Sequence, residues 1–395
     1  MSYRFGDYAI DPQNYELSEN GAPVALEPQV FSLILLLIEN RERVVTKDEL
    51  IDTVWNGRIV SEATLSSRIS AARRAVGDSG AEQSVIRTIP RRGFRFVASV
   101  EADTAQSHDP ASASSSPGQA IRFCTAPDGA ELPFSTAGSG PTLVKVANWL
   151  NHLEKDWASP MWAPLFREIS SFRKLLRYDS RGVGLSDWNI PDISYESFLT
   201  DFETVTNAEA HEPFAILGIS QGAAVAIDYA ARHPERVTHL ILWGGFARGR
   251  RQRGNPENLA ESEAFITLMR QGWGKRSSPF RDMFASLYLP DATEEQIGWW
   301  SDMQRLATSA DNAVLLRTTI DDINVGDLLP KISVPTLIMH SEGDLVAPIS
   351  EARFMAARIP DARFIMLEST NHMVMSQEPA WRRAIDEMQA FLTGS

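Results

Sequence analysis

Short apolar runs alternate with longer amphipathic stretches from about residue 140 onward. Apolar runs of this length, separated by helical segments, are typical of buried strands in a largely parallel sheet. The strand candidates are Thr142–Ala147, Lys174–Tyr178, Phe214–Gly218, Leu240–Trp243, Thr336–His340 and Arg363–Leu367. Residues from about 246 to 325 interrupt this alternation with helical, tryptophan-bearing sequence, which predicts a helical lid over the sheet.

The first hundred residues follow a different pattern, which predicts an α+β domain. Short alternating segments around the turn Glu19-Asn20-Gly21 predict a small antiparallel sheet. Three helices are predicted next. The first is apolar on most sides, and the second begins at a capping box formed by Thr46 and Glu49. The third has apolar residues at near-helical spacing. The predicted strands are Tyr3–Ile10, Tyr15–Leu17 and Val24–Leu26, and the helices cover Pro28–Glu39, the stretch through Trp55, and Ser61–Val76. Two further strands, 85–89 and 94–100, predict a hairpin with a basic tip.

The segment 101–120 contains no large apolar residue and is dominated by Ser, Ala, Pro and Gly. Such a composition is typical of a flexible linker. At 395 residues the chain is also long for a single domain. We therefore expect a first domain over residues 1–100, a linker over 101–120 and a second domain over 121–395.

Charge is distributed unevenly between these segments. The whole chain carries a net charge of −13, yet residues 61–98 hold seven arginines and three acidic residues, a net charge of +4. A basic patch on an acidic protein is what a DNA-binding module joined to a solvated enzyme domain would show. The single cysteine, Cys124, excludes an internal disulfide. Neither a signal peptide nor an apolar run near 20 residues is evident, so we expect a cytoplasmic protein without a membrane segment.

Three residues in one order predict a serine nucleophile with its base and acid. Ser220 lies in Gly218-Ile219-Ser220-Gln221-Gly222, the Gly-x-Ser-x-Gly pattern of a sharp strand-to-helix turn. Asp344 and His372 each follow a predicted strand, where ligands bind in open α/β sheets. A serine hydroxyl needs a nearby base, and that base must be oriented by a third group. The sequence predicts catalytic residues Ser220, Asp344 and His372.

With these motifs, residues 121–395 resemble the α/β-hydrolase superfamily. The segment Asp179-Ser180-Arg181-Gly182-Val183-Gly184-Leu185-Ser186 is similar to a loop common in its esterase and C–C hydrolase branches, and we interpret it as a structural turn. The resemblance implies an oxyanion hole formed by the backbone N–H groups of Gln221 and Trp149. The His-Gly pair usual before the second donor is replaced here by Ala147-Asn148.

The third helix of the first domain has the features of a DNA-reading helix. Thr64, Ser67, Arg68 and Ala71 share one face, opposite the apolar face that starts at Leu65. Further candidate contacts are Arg73 and Arg74 at the end of the helix, and Arg91 and Arg92 at the hairpin tip. Residues 4–99 resemble the OmpR-like winged-helix effector domain familiar from phosphorelay proteins. The resemblance implies major-groove binding of double-stranded DNA as a homodimer.

The sequence therefore predicts a multidomain chain, with a winged helix-turn-helix followed by an α/β-hydrolase fold. We expect a transcriptional regulator whose hydrolase domain binds, and hydrolyses, a small ester-like or lactone-like effector. Two alternatives remain open: a carboxylesterase with an accessory DNA-binding domain, and a non-catalytic ligand receptor. No Cys/His cluster has metal-ligand spacing, so we expect no metal and no cofactor.

Overall fold

The structure is a computed structural model that describes residues 2–11, 16–24, 28–41, 43–55, 62–90, 92–103, 119–190, 192–273 and 279–394. The chain divides into two units, Met1–Ser114 and Ser115–Ser395. Most of the predicted linker lies outside the described residues, but both of its ends need correction. Glu101–Asp103 is a strand paired with Ser2–Phe5, and a strand begins at Ala120. A polar segment can join a sheet edge because backbone groups, and not side chains, make the pairing.

The first unit combines a small antiparallel sheet, helices and a hairpin. Its strands are β1 Ser2–Phe5, β2 Tyr8–Asp11, β3 Glu16–Glu19, β4 Ala22–Val24, β5 Ile86–Ile89, β6 Gly93–Phe96 and β7 Glu101–Asp103. Its helices are α1 Pro28–Glu39, α2 Lys47–Trp55 and α3 Glu62–Ala75. The sheet order is β4-β3-β2-β1-β7, and β5 pairs separately with β6. The predicted single strand over Tyr3–Ile10 is two strands joined by a turn.

The core of this unit lies between α1, α3 and the hairpin. Leu33, Ile34 and Leu37 of α1 are fully buried, which explains why that helix is apolar on most sides. The hairpin is held against the segment before α2 by a bridge between Val45 and Phe94. A side chain at Gly93 would lie 2.0 Å from the carbonyl oxygen of Val45, so only glycine fits there.

The second unit is an α/β sheet flanked by helices. Its strands are β8 Ala120–Thr125, β9 Glu131–Ala137, β10 Thr142–Lys145, β11 Lys174–Tyr178, β12 Phe214–Ile219, β13 Val237–Trp243, β14 Thr336–Ser341 and β15 Arg363–Leu367. Its helices are α4 Leu153–Trp157, α5 Trp162–Phe172, α6 Tyr195–Glu209, α7 Gly222–Arg232, α8 Pro256–Gly272, α9 Pro279–Tyr288, α10 Glu294–Ala307, α11 Ala310–Asp322, α12 Ile349–Ala356 and α13 Pro379–Thr393. The sheet order is β15-β14-β13-β12-β10-β11-β9-β8, and all neighbours from β15 to β11 are parallel.

The six strands predicted for this unit are all present and are β10 to β15. The central strand β12 is buried at every position, as expected for a sheet covered on both faces. The antiparallel strands β8 and β9 were not predicted. Helices α8 to α11 lie between β13 and β14, the place of the predicted lid. Within the described ranges, no helix is both long and apolar enough to cross a membrane.

Candidate active site and candidate nucleic-acid interface

Ser220 lies at the tip of the turn between β12 and α7. Its φ angle is +54°, a left-handed conformation that is costly for a residue with a side chain and is often found at functional sites. A side chain on Gly218 would lie 2.7 Å from the Cα of Ala223, which explains the small residue on that side of the turn. The sequence pattern and the backbone agree on a nucleophile elbow.

Asp344 and His372 come together as predicted from their positions after β14 and β15. The Asp344 Oδ2 atom lies 2.6 Å from Nδ1 of His372, and both side chains are buried. The other carboxylate oxygen accepts hydrogen bonds from the backbone N–H groups of Val346 at 2.8 Å and Ala347 at 3.0 Å. Burial alone raises the pKa of Asp344, but His372, His340 and the Ala347 amide outweigh that effect and lower it. Asp344 is thus kept ionised beside the imidazole.

His340 supports the acid and is not itself placed as a base. Its Nε2 atom lies 2.7 Å from the carbonyl oxygen of Ala347 and 3.5 Å from Oδ2 of Asp344. Burial lowers the pKa of His340, so the ring is neutral and donates its Nε2 hydrogen. His340 therefore fixes the loop that presents Asp344.

The serine and the imidazole share a cavity but do not form a hydrogen bond. Ser220 and His372 both line it, together with Trp149, Trp162 and Trp300. The Nε2 atom of His372 is buried without a hydrogen-bond partner in the described part of the chain. The predicted acid–imidazole contact is thus made, and the predicted serine–imidazole contact is not. Such bonds are often long before substrate binds and tighten in the complex.

The cavity around Ser220 is small and aromatic. Its volume is about 10 Å³, which is about what one water molecule requires. Tyr288 of α9 closes it on the lid side, where its ring lies edge-on 5.4 Å from the His372 ring. A molecule larger than water therefore has to displace aromatic side chains to reach Ser220.

Helix α3 of the first unit presents two distinct faces, as its sequence predicts. Its apolar residues Leu65, Ile69 and Ala72 are buried in the core. Of the predicted DNA-reading residues, Ser67 and Arg74 are exposed, and Thr64, Arg68 and Ala71 are partly exposed. The helix therefore keeps a polar face that includes most of the predicted contacts.

Arg73 does not belong to that face, so its assignment as a DNA contact is wrong. Its side chain is only 7% exposed, and its guanidinium donates to the carbonyl oxygen of Ile86 at 2.8 and 2.9 Å. A further hydrogen bond of 2.9 Å reaches the Thr88 hydroxyl. Arg73 therefore joins α3 to the hairpin strand β5. At the hairpin tip Arg92 is exposed, and Arg91 lies outside the described residues.

The comparison with protein families decides how the second unit is classified. Residues 152–379, more than half of the chain, match the family described as "alpha/beta hydrolase fold". The chain belongs to the α/β hydrolase fold family. Residues 21–96 of this α/β hydrolase also match the family described as "Transcriptional regulatory protein, C terminal". The predicted fold class, a winged helix followed by an α/β hydrolase with a helical lid, is confirmed.

Relatives of this α/β hydrolase match its two parts separately. The transcriptional activator CadC of Escherichia coli is 32% identical over 98 residues, which are 25% of this chain and only 19% of CadC. The pimeloyl-[acyl-carrier protein] methyl ester esterase of Nitrosomonas europaea is 24% identical over 247 residues, 62% of this chain and 93% of the esterase. An esterase structure from Exiguobacterium antarcticum has a TM-score of 0.58 at 24% identity and covers 69% of this chain and 99% of its own.

The oxyanion region of this α/β hydrolase departs from the prediction. Trp149 and Gln221 do meet, but the Trp149 backbone N–H donates to the side-chain oxygen of Gln221 at 2.9 Å. The same side chain reaches the carbonyl oxygen of Ala147 at 3.4 Å. The predicted role of Trp149 as an open donor is therefore corrected: a long amide side chain next to the nucleophile occupies its N–H group.

Two residues behind this region were not predicted to have a role. Lys145, at the end of β10, is buried and donates to the side-chain oxygen of Asn148 and, at 3.3 Å, to the carbonyl of Val146. Burial lowers the pKa of Lys145 to about 7, against the opposing effect of Asp156. The sequence did carry a signal, since a lysine flanked by valines in a buried strand is unusual. Lys145 holds Asn148, which stands where the family usually has glycine.

The loop that begins at Asp179 has a structural role, in agreement with its interpretation. Asp179 is fully buried and accepts hydrogen bonds from the backbone N–H groups of Leu153 and Leu185 at 3.2 and 2.9 Å. Arg181, also buried, binds the carboxylate of Asp201 at 2.7 Å. These charged side chains satisfy each other and the backbone, away from Ser220. In the described ranges, no group of three or more His, Cys, Asp or Glu side chains is placed to hold a metal ion.

Replacing Gln221 with leucine tests whether its side chain competes with an oxyanion. We expect kcat for a short ester to rise about 2- to 10-fold, because removing one competing neutral hydrogen bond frees the Trp149 N–H. Steady-state kinetics with 4-nitrophenyl butyrate measure this change, and Gln221→Asn serves as a shorter amide control. A fall in kcat would mean that the Gln221 side chain itself assists catalysis.

Proposed function

We propose that this chain is a DNA-binding transcriptional regulator whose hydrolase domain binds and hydrolyses a small ester-like or lactone-like effector. The observation that carries the catalytic part is the 2.6 Å contact between His372 Nδ1 and Asp344, in a cavity that also contains Ser220. The relatives of the two parts, a transcriptional activator and a methyl ester esterase, support the same combination. A cytosolic location suits the single cysteine, Cys124.

The proposed reaction is acyl transfer in two steps. Ser220 attacks the ester carbonyl as its proton passes to Nε2 of His372, while Asp344 holds the Nδ1–H tautomer. The Gln221 backbone N–H, and that of Trp149 once the Gln221 side chain turns away, donate to the oxyanion. The imidazolium then protonates the leaving alcohol. Water, activated by the same imidazole, releases the acyl group and restores Ser220.

A fluorophosphonate probe tests the nucleophile directly. The probe phosphonylates an activated serine with loss of fluoride, so we expect one modified site, at Ser220, in a peptide map by mass spectrometry. Heat-denatured protein is the control for non-specific reaction. A folded chain that remains unlabelled, or labelled at another serine, would contradict the proposed mechanism.

One observation favours a second candidate function, a non-catalytic receptor. The occupied Trp149 N–H and the unpartnered His372 Nε2 are compatible with a site that binds ligand without turnover. Two measurements separate the functions: a receptor should bind the ligand although Ser220 does not react with the fluorophosphonate probe. A receptor does not require an activated serine, so a reactive Ser220 would favour the enzyme.

The regulatory part of the proposal is tested on DNA. We expect the full chain to bind its own upstream region as a homodimer, with an affinity that changes when a hydrolysable ester or lactone is added. A mobility-shift titration with and without the compound measures this coupling. An active hydrolase whose DNA affinity never responds would instead favour the carboxylesterase with an accessory DNA-binding domain.

Neighbouring arginines of α3 give a matched pair for the DNA-binding face. Arg74→Gln should weaken DNA binding and reduce the slope of log affinity against log salt by about 1, because an exposed arginine contacts phosphate. Arg73→Gln should instead lower the free energy of unfolding by about 1–3 kcal/mol, since its buried hydrogen bonds are lost. Fluorescence anisotropy at several salt concentrations and thermal unfolding separate the two effects. Equal effects of both substitutions on both measurements would refute this division.

A further inference from the structure

A second cavity adjoins the one around Ser220, and Tyr288 lines both of them. This cavity has a volume of about 350 Å³ and is called here the arginine cavity, since Arg250 and Arg317 line it with Glu261, Phe284, Tyr288 and Val346. By contrast, the cavity around Ser220 has a volume of only about 10 Å³. Because Tyr288 lines both spaces, its side chain is the wall between them. A small organic ligand is therefore accommodated by the arginine cavity and not by the space around Ser220, and its reactive end would lie next to Tyr288.

Arg250 is a buried cation without an adequate partner. Arg250 is 9% exposed and lines the cavity, and its guanidinium donates no hydrogen bond to another residue in the described part of the chain. Its one ion pair within reach there is to Glu261 at 4.0 Å, and that carboxylate is 62% exposed. The guanidinium also lies 4.8 Å from the centre of the Phe265 ring. A guanidinium that faces a cavity and lacks a close acceptor from the protein is suited to bind an anion there.

Arg317 does not compensate Arg250, because it has the same charge and its own partner. It pairs with the fully buried Asp321, while its Nε atom has no hydrogen-bond partner within the described ranges. Asp321 is in turn held by Ser262 at 2.7 Å. Asp321 is thus committed to Arg317, which leaves Arg250 with the exposed and distant Glu261 as its counter-ion in the described part of the chain.

The positive charges of Arg250 and Arg317 also affect Arg253. The pKa of Arg253 is lowered to about 10, first by burial and further by Arg250 and Arg317, although Glu351 opposes the change. Glu351 is already paired with Arg248 at 2.7 Å, so it is not available to the cavity. The local field therefore attracts an anion.

We propose that the arginine cavity binds the carboxylate of the effector, with Arg250 as its principal ligand. This assignment rests on the proposed hydrolase function and narrows its substrate class to esters or lactones that also carry a free carboxylate, such as half-esters of dicarboxylic acids. Arg250 donates to the carboxylate, and Arg317, which also lines the cavity, adds to the positive potential there. The guanidinium fork is suited to this planar anion.

The position of Tyr288 links this subsite to the catalytic imidazole. Its carbonyl oxygen accepts the backbone N–H of His372 at 2.8 Å, and its ring is edge-on to the imidazole. A ligand held by Arg250 thus occupies the far side of the residue that covers His372. Rotation of the Tyr288 side chain would open a path for the ester end to Ser220.

Hydrolysis of matched esters tests the substrate class. Monomethyl and dimethyl esters of straight-chain dicarboxylic acids from succinate to suberate are compared by methanol release. We expect the half-esters to have the higher kcat/KM at one preferred length, and Arg250→Gln to reduce that kcat/KM about 10- to 100-fold while changing the diester value less than about twofold. Arg251→Gln, the neighbouring arginine that faces Ser262 and Asp322, is the matched control and should change neither. Equal loss for half-ester and diester would overturn the proposal.

Binding without turnover separates this proposal from the proposed hydrolysis. In the Ser220→Ala chain, calorimetry with adipate should show binding that Arg250→Gln weakens about 10- to 100-fold and Arg251→Gln leaves unchanged. This result without any hydrolysis by the parent chain would refute the hydrolase function and retain the carboxylate site. Adipate binding that ignores Arg250→Gln would overturn the site. If Arg250→Gln fails to fold, the parent chain decides: adipate should inhibit hydrolysis of 4-nitrophenyl acetate more strongly than dimethyl adipate does, and equal inhibition would overturn the proposal.

Discussion

Ser220→Ala should reduce the hydrolysis of 4-nitrophenyl butyrate by a factor on the order of 10⁴ to 10⁶, because the substitution removes the attacking oxygen. The rest of the site should remain intact, since the Ser220 side chain makes no contact with His372 that the alanine would lose. The measurement is kcat at saturating ester. Binding of DNA by the first unit should be unchanged in the same preparation.

A second serine provides the matched control for this experiment. Ser180 is 8% exposed and lines a neighbouring space beside Trp149 and Gln221, but it has no base within the predicted relay. Ser180→Ala should therefore retain kcat within about twofold. If the two variants lose activity equally, or if Ser220→Ala retains it, the nucleophile has been assigned to the wrong residue.

Asp344→Asn should lower kcat by a factor on the order of 10⁴, although the two side chains have nearly the same shape. The backbone N–H groups of Val346 and Ala347 both donate to Oδ1 of Asp344. An asparagine must keep its carbonyl oxygen there, so its NH₂ group faces Nδ1 of His372. The imidazole then becomes an acceptor at Nδ1 and carries its proton on Nε2, where it cannot take one from Ser220.

The control for Asp344→Asn is Glu342→Gln, which removes a nearby negative charge. Glu342 is exposed and two residues away, so Glu342→Gln should leave kcat within about twofold. The proton on the imidazole can be followed by NMR, where Asp344→Asn should move it from Nδ1 to Nε2. An active Asp344→Asn variant with the proton still on Nδ1 would refute the tautomer argument.

The sequence was informative about the site wherever a residue's position follows from chain order. Asp344 and His372 were predicted because each follows a parallel strand, and parallel strands bring their carboxyl ends to one edge of the sheet. The strands β10 to β15 were recognisable in the sequence as apolar runs. Strand β8 was missed because it is mostly exposed and its polar residues resemble those of a loop, whereas the missed strand β9 is mostly buried.

The errors arise from side-chain detail that chain order does not determine. Arg73 follows Ile69 by four residues, so helical periodicity alone places it near the buried face and could have excluded it as a DNA contact. The hydrogen bond between Gln221 and Trp149 joins residues 72 positions apart in the sequence and depends on the conformation of the Gln221 side chain. Arg250 and Arg317 line the same cavity because of how the lid helices pack, and no local sequence pattern predicts that packing.

The nearly closed aromatic space around Ser220 has a consequence for timing. The space lined by Trp149, Trp162, Trp300 and Tyr288 is too small for an ester, so the proposed catalytic cycle would begin and end with a movement of these side chains. The frequency of that movement sets a ceiling on turnover that faster bond breaking cannot raise. In a regulator that hydrolyses its effector as proposed, a low ceiling would prolong the signal, because each effector molecule would be destroyed more slowly.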